Sequence, residues 1–286
     1  MFMSHIRPTD NELSGFVRRH PALSLGLLAM ALGTALVAPV VAGIVPTSFL
    51  QLGALSASAA GFILAAIEGG KGTVRELLRR VLIWRVGPGW WLFALAFPIL
   101  PAIASVYLAA AQGGHDVEWT GHAPLYTVIP LLLFLIAFAG LGEEFGWRGF
   151  AVPRLLGRHS ALATSLIIGG FHAVWHLPLF FVKGELYHQL VGQIGFLPAF
   201  LGYSTLVLAL SVQLTWLFTN TNGSVLLAAV YHGAGNAWNG YIDIYRGHLS
   251  GIAAYVALMV VISILLVIGY GPATLSRQAT REGDGH

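Results

Sequence analysis

Long apolar runs alternate with short polar stretches along the whole chain. Each run has about the 20 residues that a helix needs to cross the hydrocarbon core of a bilayer. We therefore expect an all-α, polytopic membrane protein that forms a single transmembrane domain over residues 1–286. The predicted spans are eight helices at about 22–44, 49–68, 90–111, 126–147, 161–181, 194–218, 223–240 and 250–270.

The polar stretches between these spans carry predictions of their own. Residues 71–85 alternate arginines with large apolar residues, which is typical of a basic amphipathic helix lying on the cytoplasmic membrane surface. Residues 113–123 are polar and acidic and predict a solvated outer loop. Residues 277–286 are short and polar, and we expect them to be a disordered tail.

Composition supports the membrane assignment. The chain has 56% hydrophobic and 9% charged residues, whereas about a quarter of the residues of a soluble domain are charged. Its lysines and arginines are spread over short loops rather than gathered in a basic patch, which argues against a nucleic-acid partner. The chain also has no cysteine, which excludes disulfides, thiolate zinc ligands and a thiol nucleophile.

The distribution of positive charge predicts the orientation. If both termini are cytoplasmic, thirteen of the fifteen lysines and arginines lie on the inner side, and Lys183 and Arg246 lie on the outer side. Such a bias follows the rule that cytoplasmic loops of membrane proteins are enriched in positive charge. We therefore expect an integral protein of a bacterial cytoplasmic membrane with both termini inside.

Three charged residues interrupt the end of the fourth predicted span. Glu143, Glu144 and Arg148 lie within the stretch 140–149, where an ionised side chain at bilayer depth costs roughly 2.5–3.5 kcal/mol. On an α-helix, Glu144 and Arg148 share a face and can pair, while Glu143 points about 100° away. This arrangement leaves Glu143 free to face a cavity as a base or a metal ligand.

Two further spans place polar residues at helical spacing. His172 and His176 are four apart on the fifth span, and His232, Asn236 and Asn239 share a face of the seventh. Intramembrane Glu, His and Asn residues that converge from three helices indicate a functional site. Small residues on the same helices favour close approach of the backbones.

The helices must also overlap in depth for Glu143 and His176 to meet. At 1.5 Å of rise per residue, a fourth helix from Leu125 and a fifth from Ser160 would place the two side chains toward opposite sides of the membrane. We therefore expect the fourth helix to begin nearer Pro130 and to run past Arg148 toward Pro153, and the fifth to begin a few residues after Ser160.

These residue types can hydrolyse an amide. Water is a poor nucleophile, and a desolvated carboxylate such as Glu143 can take its proton as it attacks a carbonyl. His176 can hold the same water or protonate the leaving amine. His232 and Asn236 can donate hydrogen bonds to the oxyanion of the tetrahedral intermediate. The expected substrate is a membrane-associated peptide or protein, and the catalytic core would cover about 126–240.

The motifs resemble those of the CPBP family. Glu143 to Arg148 matches its EExxxR motif, the segment ending at His176 is similar to its FxxxH motif, and His232 with Asn236 resembles its third motif. This family of intramembrane proteases includes the type II CAAX prenyl endopeptidases and bacterial bacteriocin-processing or immunity proteins. The resemblance implies eight helices around a membrane cavity, Glu143 as general base, His176 as its water-positioning partner, and His232 and Asn236 as oxyanion donors.

One position departs from the family pattern, and the metal dependence stays open. His172 stands where the FxxxH motif has phenylalanine, so it either replaces the aromatic ring with little effect or adds a ligand. Glu143, His176 and His232 can form a His₂-carboxylate zinc site with an open position for water. A metal-free glutamate mechanism uses the same residues, and it also gives Asn236 a role as an oxyanion donor.

Two other classes of function compete with the endopeptidase. A proton- or cation-coupled transporter would need polar residues that continue to both membrane faces, yet the outer halves of these helices are apolar apart from Tyr203 and Gln213. A non-catalytic scaffold, such as a bacteriocin-immunity protein, would bind a partner through the same groove and would survive Glu143→Gln. A prenylated CAAX-type substrate follows only from the family branch.

Overall fold

The computed structural model describes residues 12–113, 123–244 and 249–277. Most of these residues are helical, and no strand occurs within the described ranges. The helices are α1 (Glu12–Arg19), α2 (Pro21–Val41), α3 (Leu50–Arg79), α4 (Pro88–Ala96), α5 (Ile99–Gly113), α6 (Leu125–Leu156), α7 (Ala161–Trp175), α8 (Leu186–Ile194), α9 (Phe196–Asn220), α10 (Val225–Ile242) and α11 (Leu249–Tyr270). Most of the acidic loop predicted before α6, and the tail beyond Arg277, lie outside the described residues.

The predicted polytopic architecture is confirmed. Among the described residues, seven helical segments are long and apolar enough to cross a membrane. The remaining predicted span, 223–240, is the 18-residue helix α10, which is less apolar because it carries His232 and two asparagines. Large apolar side chains cover the outside of the bundle, with Ile268 75% and Leu92 69% exposed. Exposure of this kind suits contact with lipid tails rather than with water.

Helix α3 bends where its membrane span meets the basic segment. Gly69 and Gly70 have non-helical backbone angles, and Gly70 has a φ of 62°, which glycine adopts without a steric penalty. Beyond this kink the chain is helical again to Arg79 and continues as a 3₁₀ turn to Leu82. The predicted basic helix is therefore present over most of its length, joined to the preceding span by a glycine hinge.

Helix α6 is not a regular α-helix. Two π-helical segments, Ile136–Leu141 and Phe145–Ala151, flank the short α-helical stretch Gly142–Glu144 that carries both glutamates. Such wide turns insert an extra residue into the helix and occur frequently at functional sites. The two carboxylates therefore lie in the one regular turn between two distorted ones.

The expected course of the fourth helix agrees with the structure, and the expected start of the fifth is wrong. Helix α6 opens with a 3₁₀ turn at Leu125–Thr127, becomes α-helical at Val128, two residues before Pro130, and runs past Arg148 to Leu156. Helix α7 begins at Ala161, directly after Ser160. The physical reason for the second start is a helix cap, because the hydroxyl of Ser160 accepts a hydrogen bond from the backbone N–H of Ala163 at 3.2 Å.

Close backbone contacts hold α6 between α3 and α10. A Cβ atom on Gly146 would lie 2.2 Å from the carbonyl oxygen of Ala57 on α3, and one on Gly140 would lie 2.4 Å from that of Ala229 on α10. Only glycine permits such approaches, since real Cβ contacts are longer than 3 Å. The packing places Glu143 and Glu144 in the centre of the bundle, next to the fully buried Trp147.

Candidate active site

The two adjacent carboxylates are both buried but have different neighbours. Glu143 is 4% exposed and Glu144 is not exposed at all. Glu144 faces the ion pair with Arg148 and the ring of His232, whereas Glu143 faces His172 on α7. One carboxylate is thus held by charged and hydrogen-bonding partners, and the other lies at the edge of an open space.

Glu144 is the centre of a buried polar network. A nitrogen of Arg148 lies 3.1 Å from Glu144 Oε2, and neither side chain is exposed, so the predicted ion pair is confirmed. A second guanidinium nitrogen of Arg148 donates to Ser211 Oγ on α9 at 3.0 Å, and His232 Nδ1 lies 2.8 Å from Glu144 Oε1. The network ties α6, α9 and α10 together and orients the His232 ring.

Glu143 and the histidines of α7 form a second group. His172 Nε2 lies 2.7 Å from Glu143 Oε2, and the His172 ring stacks on Trp147 with the ring centres 5.1 Å apart. His176 follows the last residue of α7 as its cap and places Nδ1 2.9 Å from the carbonyl oxygen of His172. Since a carbonyl only accepts, Nδ1 of His176 carries the proton and Nε2 presents a lone pair.

The four residues predicted to be catalytic share one cavity. Glu143, His176, His232 and Asn236 all line a cavity of about 100 Å³. Asn236 has an exposed side chain there, whereas Asn239 is 8% exposed and donates to the Tyr255 hydroxyl at 2.8 Å. Of the two asparagines on α10, Asn236 is therefore the one available to a ligand.

A larger and more apolar cavity meets the first one at the same residues. It has a volume of about 330 Å³ and also contains Glu143, His176 and Asn236. Its walls come from α2, α3, α6 and the segment after α7, with apolar residues such as Val37, Leu50, Leu135, Ala139, Trp175, Pro178 and Leu179. An extended apolar peptide segment can reach the Glu143 carboxylate through this cavity.

Tyr187 is a site residue that sequence reasoning missed. It lines both cavities, and its hydroxyl donates to that of Tyr203 at 3.5 Å. It lies on α8, a nine-residue helix that was not among the predicted spans. Only the tertiary packing of α8 against α9 brings it to the site, so no local pattern could have indicated it.

Comparison with known proteins finds a family similar to the part of the chain that carries the site. Residues 125–238 match the family described as type II CAAX prenyl endopeptidase Rce1-like. This part of the chain is therefore similar to the Rce1-like family. The CAAX prenyl protease 2 of Methanococcus maripaludis is 29% identical over 142 residues, which cover 48% of this chain and 52% of the relative. The chain thus spans about half the length of the curated relative that it matches.

The Rce1-like region contains all three motif stretches, from Glu143 through His176 to Asn236. The resemblance inferred from these motifs is therefore confirmed. Together with the apolar helices, the family match identifies an integral membrane protein.

The predicted zinc-ligand set was Glu143, His176 and His232. Nδ1 of His232 contacts Glu144, which leaves its Nε2 as the possible ligand atom. Within the described residues, the ligand atoms that lie within 4.8 Å of one another belong to Glu143, His172 and His176. His172, the departure from the FxxxH motif, takes the place expected for His232.

Proposed function

We propose that the protein is an intramembrane endopeptidase in which Glu143 activates a water molecule without a metal ion. The observation that carries this proposal is the cavity shared by Glu143, His176, His232 and Asn236. A base, a water-orienting acceptor and two donors for a developing negative charge are the groups that peptide hydrolysis requires.

The proposed reaction uses each group at a stated atom. The water donates one proton to Glu143 and a hydrogen bond to the lone pair of His176 Nε2, while its oxygen attacks the peptide carbonyl. Nδ1 of His232 is occupied by Glu144, so Nε2, when protonated, is the atom that can donate to the oxyanion, together with the Asn236 amide. Glu143 then passes the proton to the leaving amine as the carbon–nitrogen bond breaks.

The apolar cavity supports a membrane-associated substrate. Its 330 Å³ opens onto the same three residues as the reaction cavity, so an apolar peptide segment can lie against the walls while its scissile bond faces Glu143. The M. maripaludis relative carries the name CAAX prenyl protease 2. We extend that activity to this chain as the proposed class of substrates, membrane-associated or lipidated peptides of the CAAX type, cleaved in a bacterial cytoplasmic membrane with both termini inside.

The test is cleavage of a peptide library and a farnesylated CAAX peptide by purified protein in detergent, with and without chelator. Loss of a general base lowers rates by about 10²–10⁴-fold, so Glu143→Gln should reduce cleavage by at least about 100-fold. Glu76→Gln is the matched control, because the Glu76 side chain is 68% exposed in a surface pair with Arg80. It should cleave like wild type.

Three outcomes would contradict parts of the proposal. Loss of cleavage in chelator with recovery in zinc would refute the metal-free mechanism and keep the endopeptidase. Equal cleavage by wild type and Glu143→Gln would remove Glu143 as the base. If neither cleaved any peptide while both bound a common partner equally well, the scaffold function would replace the enzyme.

A further inference from the structure

His172 departs from the family motif at the point of closest contact with the proposed base. The FxxxH motif has an aromatic residue four positions before the histidine, and this chain has His172 there. Its ring keeps the stacking expected of an aromatic residue, on Trp147. Its Nε2, however, also contacts a Glu143 oxygen at 2.7 Å, an interaction that phenylalanine cannot make. Packing alone therefore does not account for a histidine.

We propose that Glu143, His172 and His176 bind one divalent transition-metal ion of the zinc class. Each residue contributes one ligand atom, and these atoms lie within 4.8 Å of one another, which small rotations can bring into a common coordination sphere. Two histidines four apart that face one carboxylate form the His₂-carboxylate set of open zinc sites. The set has two imidazole nitrogens and only one carboxylate, which favours zinc over calcium or magnesium, since those ions prefer oxygen ligands.

The surroundings prepare His176 for ligation. Its Nδ1 donates to the backbone carbonyl of His172, and this type of bond to the second ring nitrogen fixes metal-binding histidines in place. Its Nε2 is therefore the ligand atom. Glu143 and His176 both line the two cavities, so an ion has a route of entry and an open coordination position.

A bound ion would block hydrolysis, a consequence that rests on the proposed function. In the metal-free site, Glu143 and His172 share a hydrogen bond, and an ion would displace the proton between them. Once Glu143 ligates the ion through its oxygen, it no longer serves as a free base for water. The site is therefore an inhibitory one, and zinc should lower the cleavage rate as it fills the site.

Metal binding is tested first, because it requires no knowledge of the substrate. Purified protein in detergent competes for Zn²⁺ with a chromophoric chelator, and zinc per chain is counted after desalting. Wild type should bind one ion. His172→Phe, which restores the aromatic residue of the motif, should bind at least about 100-fold more weakly, since even an outer partner of a metal ligand contributes 10- to 100-fold.

His159→Phe is the matched control, because it removes one histidine from an exposed position outside the site. It should bind zinc like wild type. Zinc X-ray absorption of loaded wild type supplies a measurement that needs no variant, and it should show two histidine nitrogens at about 2.0–2.1 Å. Absence of binding in wild type, equal binding by His172→Phe, or a spectrum without histidine ligands would overturn the site.

Cleavage separates this inference from the proposed function. Zinc should inhibit wild type at the concentrations that fill the site, and the same concentrations should leave the rate of His172→Phe at its own zinc-free value. Binding without inhibition would overturn the inhibitory role. Binding together with zinc-dependent cleavage would keep the ligands, overturn the inhibitory role and refute the metal-free mechanism. Binding without any cleavage would keep the site and refute the proposed peptidase.

Discussion

Removal of Arg148 should destabilise the protein far more than removal of Arg80, a partly exposed arginine that pairs with the exposed Glu76 at the same spacing. Arg148 and Glu144 are fully buried, four residues apart and 3.1 Å apart at their closest charged atoms. Arg148→Met keeps most of the side-chain length and removes the charge. Among the described residues, the substitution leaves the Glu144 carboxylate in the centre of the bundle with His232 Nδ1, at 2.8 Å, as its polar contact.

The magnitude follows from the geometry. Two unit charges 3.1 Å apart attract by about 5 kcal/mol at an effective dielectric constant of about 20. Measurements on other proteins agree in scale, since breaking a buried pair by removing one partner costs about 3–5 kcal/mol. The pair of Glu76 and Arg80 has the same spacing and the same 3.1 Å distance, but Glu76 is 68% exposed. Arg80→Met should therefore cost less than about 1 kcal/mol.

The assay is reversible unfolding in mixed micelles, in which SDS is titrated against a mild detergent and helicity reports the folded fraction. It yields the free energy of unfolding for wild type, Arg148→Met, Arg80→Met, Glu144→Gln and the double variant Glu144→Gln/Arg148→Met. The double variant removes both buried charges and should lose less stability than Arg148→Met alone, since no unpaired carboxylate remains.

Two results would refute this reasoning. Equal losses for Arg148→Met and Arg80→Met would show that burial does not set the cost of losing the guanidinium. A double variant destabilised by the sum of its two single changes would show that Glu144 and Arg148 are not coupled.

Two further predictions concern packing and the oxyanion. Gly146→Ala should destabilise the protein by about 1–3 kcal/mol, because its methyl group would overlap the Ala57 carbonyl. Gly170→Ala is the control and should be neutral or stabilising, because the space around its Cβ position is open. Thermal unfolding in detergent compares the two variants, and equal midpoints would contradict the close contact at Gly146. Asn236→Ala should lower kcat by about 10²–10³-fold without a change in Tm, because Asn236 is exposed in the cavity. The control Asn239→Ala should instead lower Tm, because Asn239 is buried and bonded to Tyr255. An unchanged kcat in Asn236→Ala would show that Asn236 does not stabilise the oxyanion.

Hydrophobic patterning predicts the helices because a bilayer imposes a length and an apolar surface on each span. It cannot predict the π segments of α6, since these depend on contacts made in three dimensions. Ser58 on α3 donates to the carbonyl of Leu141 at 2.7 Å, and glycines at 140 and 146 bring neighbouring backbones against the same turns. The start of α7 inferred from a uniform rise per residue was wrong for a related reason: the end points of helices depend on local caps and distortions.

The sequence indicates which residues form the site, but it only partly indicates which of them contact one another. The spacing of Glu144 and Arg148 indicates an ion pair, and the structure contains it. Which histidine contacts which glutamate depends on how α7 and α10 lie against α6, and the pairs are His172 with Glu143 and His232 with Glu144. Sequence spacing carries no information on contacts between helices, so the motifs alone did not indicate that His172, with Glu143 and His176, has a possible ligand atom within 4.8 Å of the other two.

The different surroundings of the two adjacent glutamates connect stability with the proposed chemistry. Glu144 has Arg148 and His232 within 3.1 Å, so its charge is balanced inside the bundle and its role is to orient the His232 ring. Glu143 has no such cation pair among the described residues and borders both cavities. A carboxylate held in this way by a single neutral or protonated histidine can exchange that contact for a water proton or for a metal ion. We propose that the choice between the two depends on His172, the residue in which this chain departs from the FxxxH motif that its site resembles.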